Sequence, residues 1–354
     1  MRVLHIVPDS LSNPNHLYLG STKDIFGRIE YFNARNIHVE RVVADQRSDA
    51  LLIKKLQRLN LDQYSAAIVE NCLYPGSLQF LKEHNRNMVI LTRSINAEFY
   101  HGFHQTFATI FNIKDNIRLR GILGLRPLGS SFTGFKRLYL DYLCAKQSDF
   151  ILSITQWETD HYWKYLVNGS KIKTLPYFLP SNYLLDIDKE KKFQCVGLMS
   201  TTGGTLPFTL DATNNLCRVI KKLGQEGPEW NFLITGKMPV EKLGLPPRLK
   251  YTGFLKNPFD LLKESRAMAI LSDYGFGFKT KLLDAICNNC YPLVTEKLYK
   301  RLPIEVQPYC ITVDVKSVKS FKKALELSSN KFPEGNPNKV LRDQSYKILD
   351  SLLR

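Results

Sequence analysis

The sequence predicts an α/β protein built as two doubly wound domains in tandem. Three observations carry that prediction. Short apolar, β-branched segments alternate with longer polar or amphipathic ones along most of the chain, the pattern of βα units in a parallel sheet covered on both faces. The alternation breaks once, at about Pro176, and resumes at Phe193. The 354 residues also exceed what one hydrophobic core usually spans.

In the first series, Arg2–Val7 reads as a buried strand followed by a polar loop. His38–Val43, Ala66–Val69, Met88–Leu91 and Phe150–Ile154 read as further strands, with Asp49–Leu59 and Ser77–His84 as helices between them. Tyr177–Lys192 carries Pro180, Asn182 and a run of charges from Asp186 to Lys192, which is linker chemistry. The second series has strands at Phe193–Leu198, Trp230–Thr235, Leu249–Thr252, Ala267–Leu271, Pro292–Thr295 and Cys310–Val313. Its helices are Asp211–Leu223 and Lys281–Asn288, and an amphipathic helix, Val340–Leu353, ends the chain. The expected division is 1–176, a linker 177–192, 193–335 and a terminal segment 336–354. Two such domains leave a cleft between the carboxyl ends of their strands, where ligands bind open α/β sheets.

Composition narrows the class. Apolar residues make up 44% and charged residues 23%, an ordinary globular balance. No run approaches the roughly 20 apolar residues that span a bilayer, and MRVLHIVP reads as a strand rather than a secretory signal. Seven scattered cysteines argue against a disulfide framework and for a reducing, cytoplasmic setting, in which the sequon Asn168-Gly-Ser170 is idle. Cys287 and Cys290 form a CxxC without a second pair or a flanking His, so they read as packing residues at a helix end. The histidines show no zinc-binding spacing, so no metal is expected.

The formal net charge of +16 asks for a polyanionic neighbour: nucleic acid, an anionic membrane surface or a phosphorylated ligand. No nucleic-acid signature is visible, and no nucleic acid partner is expected. A dinucleotide-binding dehydrogenase needs GxGxxG after the first strand; Val7-Pro-Asp-Ser-Leu-Ser-Asn-Pro14 has no glycine.

The most informative stretch is Asp273-Tyr-Gly-Phe-Gly-Phe-Lys-Thr-Lys-Leu-Leu-Asp-Ala285. It follows a strand, holds Gly275 and Gly277, and runs into a helix. Glycine lets backbone approach an anion closely, and free N–H groups at a helix start can meet it. Lys279 and Lys281 add positive charge, and Asp284 offers a carboxylate to a ribose diol.

This stretch, with Val196-Gly197-Leu198, Leu233-Ile-Thr-Gly236, Tyr251-Thr-Gly-Phe254, Leu262–Ile270 and Asn289–Thr295, resembles glycosyltransferase family 4 across nearly all of the second domain. In the first domain, Ile90-Leu-Thr-Arg-Ser-Ile-Asn-Ala-Glu-Phe-Tyr100 looks like that family's Arg-Ser-His-Asn-x-Glu element. Glu70 and Phe150–Trp157 match in order and spacing.

The resemblance implies the GT-B fold, two Rossmann-like domains facing across a cleft, with the first on the acceptor side and the terminal helix returning toward it. It implies a retaining, metal-independent transferase with no cofactor beyond a nucleotide-sugar donor. The acceptor would be a glycan or a lipid-linked molecule, in polysaccharide or glycolipid synthesis. The implied donor-site residues are Gly203, Gly204, Lys237, Gly275, Gly277, Phe278, Lys279, Lys281 and Asp284. Lys279, Asn96 and Glu98 are the implied catalytic set.

Three positions depart from the family. Ile95 stands where it has His, and Phe276 where it has an acidic residue, with Asp273 three residues earlier as a substitute. The loop Gly197–Thr205 lacks the usual Arg and Lys, so the positive charge would come from Lys279, Lys281 or Lys237. These departures support the alternative, a catalytically silent GT-B protein that binds glycans or scaffolds a complex. The segment His101–Lys146 combines seven Lys or Arg with many apolar residues and only two acids. It fits either an interfacial element for an anionic, peripheral membrane contact or a packed helix pair with a solvated basic face.

Overall fold

The computed structural model describes residues 1–13, 19–46, 48–184, 190–198, 207–224, 229–236, 244–255, 257 and 259–353. Met1–Phe99, Phe135–Tyr183 and Asn338–Arg354 form one compact unit; Tyr100–Gly134 and Leu184–Pro337 form the other. Residues 100–134 thus group with the second unit, although the sequence pattern alone places them in the first series.

The first unit holds a six-stranded parallel sheet in the order β2-β1-β3-β4-β5-β6. The strands are β1 Arg2–Pro8, β2 His38–Ala44, β3 Ala66–Glu70, β4 Val89–Arg93, β5 Phe150–Ser153 and β6 Ile172–Thr174. Helices α1 Gly20–Ala34, α2 Asp49–Leu56 and α3 Pro75–His84 connect the early strands. Then come α4 Glu98–Phe111, α5 Ile113–Arg120, α6 Ser130–Gln147 and α7 Gln156–His161. The core joins Val3, Ile68, Leu91 and Leu152 of the strands to Tyr31 and Phe32 of α1 and to Leu349 and Leu353 near the C-terminus. The last two belong to α13, Pro337–Leu353, which the chain sends back to this sheet after completing the second unit. Asp350 accepts two hydrogen bonds from Arg35, each of 2.9 Å, and Ser345 donates to Pro176 O at 2.5 Å.

The second unit repeats the plan, in the order β12-β11-β10-β7-β8-β9, all parallel. Its strands are β7 Lys192–Leu198, β8 Asn231–Thr235, β9 Leu249–Gly253, β10 Ser265–Ile270, β11 Tyr291–Val294 and β12 Ile311–Thr312. Its helices are α8 Pro207–Leu223, α9 Phe259–Glu264, α10 Lys281–Ile286, α11 Glu296–Tyr299 and α12 Val318–Ser328. Leu216, Val219, Ile220 and Leu223 repeat at helical spacing and bury one face of α8 with Phe232, Ile234 and Ala267 of the sheet. Leu119 of α5 enters the same core.

In both sheets the chain winds outward in two directions from one starting strand. The reversal lies between β1 and β3 in the first sheet and between β7 and β10 in the second. At such a switch point the flanking connections leave in opposite directions, so a crevice opens at the carboxyl ends of the two strands. Both crevices coincide with charged or glycine-rich sequence.

Candidate functional site

In the second unit, the loop 271–280 leaves the carboxyl end of β10 beside the β7/β10 switch point. Gly275 has φ 91 and Gly277 has φ 84, left-handed conformations that a side chain tolerates poorly. Space adds a second constraint at Gly275, because a Cβ there would run into the Lys279 Nζ and lie 3.4 Å from the Phe208 ring. The loop is therefore coiled so that Lys279 folds back over its own glycine.

The Lys279 ammonium sits 5.2 Å from the centre of the Phe208 ring. Burial, then the charges of Arg301 and Lys281, bring its pKa down to about 7. Arg301 staples the loop: Nη1 donates to Gly275 O at 2.6 Å and Nη2 to Asp273 O at 3.1 Å. Its Nε donates to Lys297 O at 3.2 Å, so the guanidinium is spent on carbonyls. Asp273 pairs with Lys297 at 3.2 Å on an exposed flank.

The amide of Gly275 is itself occupied: it donates to His104 Nδ1 at 3.1 Å. An accepting Nδ1 puts the imidazole proton on Nε2 and leaves the ring neutral. Burial and the nearby Arg301 hold its pKa down, at about 4, in agreement. The ring also meets Phe276 edge-on at 4.9 Å, and Tyr100 stacks on Phe276 at 4.7 Å. Phe276 is buried by these contacts. A second line of polar contacts fixes the loop's start. Ser272 donates to Asp211 Oδ2 at 2.7 Å, and Asn215 donates to Leu271 O at 2.8 Å.

Of the sequence-predicted donor residues, Gly275, Gly277, Phe278 and Lys279 lie in this loop. Lys281 opens α10 after Thr280, and Asp284 lies within that helix with only 4% of its surface exposed. Phe278 is buried. Gly203, Gly204 and Lys237 lie outside the described residues. His104 and Arg301 were not legible in the sequence, because each is far along the chain from the loop it holds.

In the first unit, the switch point is filled by an ion network. Arg93, fully buried, makes a two-point contact with Asp24: Nε to Oδ2 at 2.9 Å and Nη2 to Oδ1 at 3.0 Å. Its Nη1 donates to the carbonyls of Ser153 at 3.1 Å and Leu175 at 2.6 Å, joining the ends of β5 and β6. Arg28 bridges Asp24 at 3.0 Å and both oxygens of Glu70, whose Oε1 also takes a 2.7 Å hydrogen bond from His5 Nε2. Burial outweighs the carboxylate and keeps His5 below its usual pKa, so it donates as a neutral ring. Against the cost of burial, Arg28 and Arg93 hold Asp24 down to about 2. Glu70, matched to an acidic family position, is thus part of the scaffold.

The loop after β4 carries Asn96 and Glu98, both partly exposed, with Asn96 Nδ2 donating to Glu98 Oε1 at 3.3 Å. Ser94 is buried and donates to Asn96 O at 3.3 Å. Glu158 accepts from the Ala97 amide at 2.9 Å and pins the loop; burial raises its pKa to about 8. Asp141, also raised by burial, to about 7, accepts from Tyr162 at 2.5 Å. Among the described residues no group of three or more His, Cys, Asp or Glu is placed to hold a metal ion. None of the seven cysteines is in a disulfide; Cys290 is buried and Cys287 partly so.

No family model and no curated protein matches the sequence. Solved structures do match over almost the whole chain. HepE of Anabaena in complex with UDP and glucose is 11% identical, with a TM-score of 0.56, covering 99% of this chain and 100% of that one. Sucrose-phosphate synthase of Thermosynechococcus elongatus is 9% identical, with a TM-score of 0.59, covering 99% and 94%. The lipopolysaccharide outer core galactosyltransferase WaaB is 9% identical, with a TM-score of 0.55, covering 100% and 99%. At these identities the likeness carries the fold: the chain has the GT-B architecture of two doubly wound units.

Proposed function

We propose that the protein is a family-4-like glycosyltransferase. It moves a sugar from a nucleoside diphosphate to a glycan or lipid-linked acceptor, in polysaccharide or glycolipid synthesis. The observation that carries this reading is the glycine loop at the β7/β10 switch point, with Lys279 folded over it and Arg301 behind it. Breaking the bond from the anomeric carbon to the phosphate oxygen leaves the electron pair, and growing negative charge, on the diphosphate. A preorganised cation in a half-buried site stabilises that charge more than water does. Lys279 supplies the direct contact, while the fixed field of Arg301 supports it. Lys281 is an outer cation, and Asp284 receives the ribose hydroxyls. Asn96 and Glu98 belong to the acceptor side. Retention of configuration and independence of metal are part of this reading, with the donor phosphate taking the acceptor's proton.

The test is a thermal-shift screen of UDP-, GDP-, ADP- and CMP-sugars, followed by detection of nucleoside diphosphate release with glycan and lipid acceptors. UDP-sugars come first, since a neighbour of the same fold is described with UDP and glucose. One donor class should raise the melting temperature, and its diphosphate should be released only with an acceptor. Binding without any release would favour the catalytically silent alternative, for which the departures at Ile95 and Phe276 speak. In a working assay, Asn96→Ala and Glu98→Ala are each expected to lower turnover by up to about 100-fold, the cost of a misplaced acceptor. Unchanged turnover in both would make the loop structural only.

Binding should also depend on pH. Lys279 has its pKa lowered to about 7 in the empty protein, and a diphosphate favours its charged form. Above that pKa, binding must take up a proton, so affinity falls as pH rises. The expected loss is about tenfold between roughly pH 6 and roughly pH 8. Calorimetry in buffers of different ionisation enthalpy should show proton uptake at the upper pH and little at the lower. In Lys279→Ala this component should vanish; its survival there would assign the proton to another group.

A further inference from the structure

Residues 100–134 carry two unlike sets of side chains. One is fastened within the second unit. His104 accepts the Gly275 amide, Tyr100 stacks on Phe276, and Leu119 sits in the core beside α8. Asn214 of α8 donates to Asn112 and to Asp115, each at 2.8 Å. The other is open to solvent: Ile122 is 85% exposed and Phe132 80%, Phe107, Ile110 and Ile117 are exposed too, and Phe111 is 72% exposed although its ring stacks on Tyr274 at 6.3 Å.

This exposure is built rather than frayed. The turn after α5 needs Gly121 in the left-handed region, at φ 59, and Gly124 packs so tightly on the Asn116 carbonyl that no Cβ fits. That turn pushes Ile122 and Leu123 outward. Lys114, Arg118 and Arg126 are exposed on the same segment, whose only acid, Asp115, is held by Asn214.

We infer that residues 107–132 dock on an anionic lipid surface. So many exposed apolar side chains on one short segment mark an interaction site, and the charges among them select the occupant. Aromatic and aliphatic tips flanked by Lys and Arg, without free acids, suit an interface of acyl chains and negative headgroups. A second copy of this chain would set like charges against each other across a two-fold axis. No described helix is long and apolar enough to cross a membrane, so the contact is peripheral. The inference deepens the proposed function, since the segment that meets lipid also holds the donor loop through His104. It fits an acceptor presented at a membrane.

The test is sedimentation of the full chain with vesicles of phosphatidylglycerol and phosphatidylcholine, or of phosphatidylcholine alone, with UDP affinity measured in parallel. Binding to the anionic vesicles is expected, weakened by salt and near background on the neutral ones. Lys114→Glu with Arg118→Glu should weaken binding by about 25-fold or more, from roughly fivefold per basic residue lost. Ile122→Ser with Phe132→Ser should weaken it at least about tenfold by removing apolar insertion. Both double variants should keep the wild-type melting temperature and UDP affinity. Equal binding to both vesicle types, no binding to either, or a dimer in light scattering that the Ile122/Phe132 variant dissolves would overturn the inference. Vesicle binding as expected, with no nucleotide binding at all, would uphold the docking surface and sink the donor-site reading.

Discussion

Arg93→Ala is expected to cost the first unit about 3–5 kcal/mol, the usual penalty for orphaning a buried ion pair. The wild-type guanidinium is fully buried, pairs twice with Asp24 and ties down the carbonyls of Ser153 and Leu175. Alanine removes all of these contacts at once, together with a longer one to Leu152 O at 3.4 Å, and leaves Asp24 paired with Arg28. Arg93→Lys keeps the charge but not the planar fork, so it should recover only part of the loss. Removing both partners, as Arg93→Met with Asp24→Leu, should do better than Arg93→Ala, because no buried charge is left unpaired. Urea unfolding followed by tryptophan fluorescence measures all of these. Acid should act on the same network. Asp24 has its pKa depressed from 3.8 to about 2, so its contribution is complete above the higher value and is lost as pH falls toward the lower. An Arg93→Ala protein with a wild-type urea midpoint would remove Arg93 from the scaffold.

The second large effect is on chemistry. Lys279→Ala should weaken donor binding about 10- to 150-fold, the loss of a charge-assisted contact worth about 1.5–3 kcal/mol. The loss in turnover should exceed the loss in binding, because charge on the diphosphate grows as the sugar leaves. Folding should be unharmed: Lys279 is held with a depressed pKa, so removing it relieves a desolvated cation rather than breaking a pair. Lys281→Ala should cost less, because it opens α10 and does not fold back over Gly275. Steady-state kinetics on the three proteins would show the order. A Lys281→Ala loss larger than that of Lys279→Ala would reverse the assigned roles.

Much of the fold was legible because buried parallel strands carry their signal as apolar β-branched runs. Ala66–Glu70 and Ser265–Ile270 are examples, each within a residue or two of its expected bounds. Several elements were not, α1 and β6 among them. The segment after β1 reads as a polar loop but forms α1, since its buried face mixes Lys23, Asp24 and Arg28 with Ile25, Tyr31 and Phe32. Buried charges at these positions interrupt the apolar periodicity by which a helix is read. β6, three residues long, sits at the edge of its sheet and is too short to leave a pattern. The glycine loop and Lys279 were visible because backbone conformation demands particular residues. His104 and Arg301 were invisible because they meet the loop only after folding, from 171 and 26 residues away.

The central claim is that the loop 271–280 with Lys279 binds a nucleoside diphosphate. The most direct measurement is calorimetric titration of wild type and Lys279→Ala with the best nucleotide from the donor screen, at about neutral pH and under identical buffer. One site is expected in the wild type and an affinity about 10- to 150-fold weaker in the variant, with the same melting temperature for both empty proteins. Equal affinities in two equally stable proteins would contradict it and move the phosphate site to Thr201–Thr205, which lie outside the described residues.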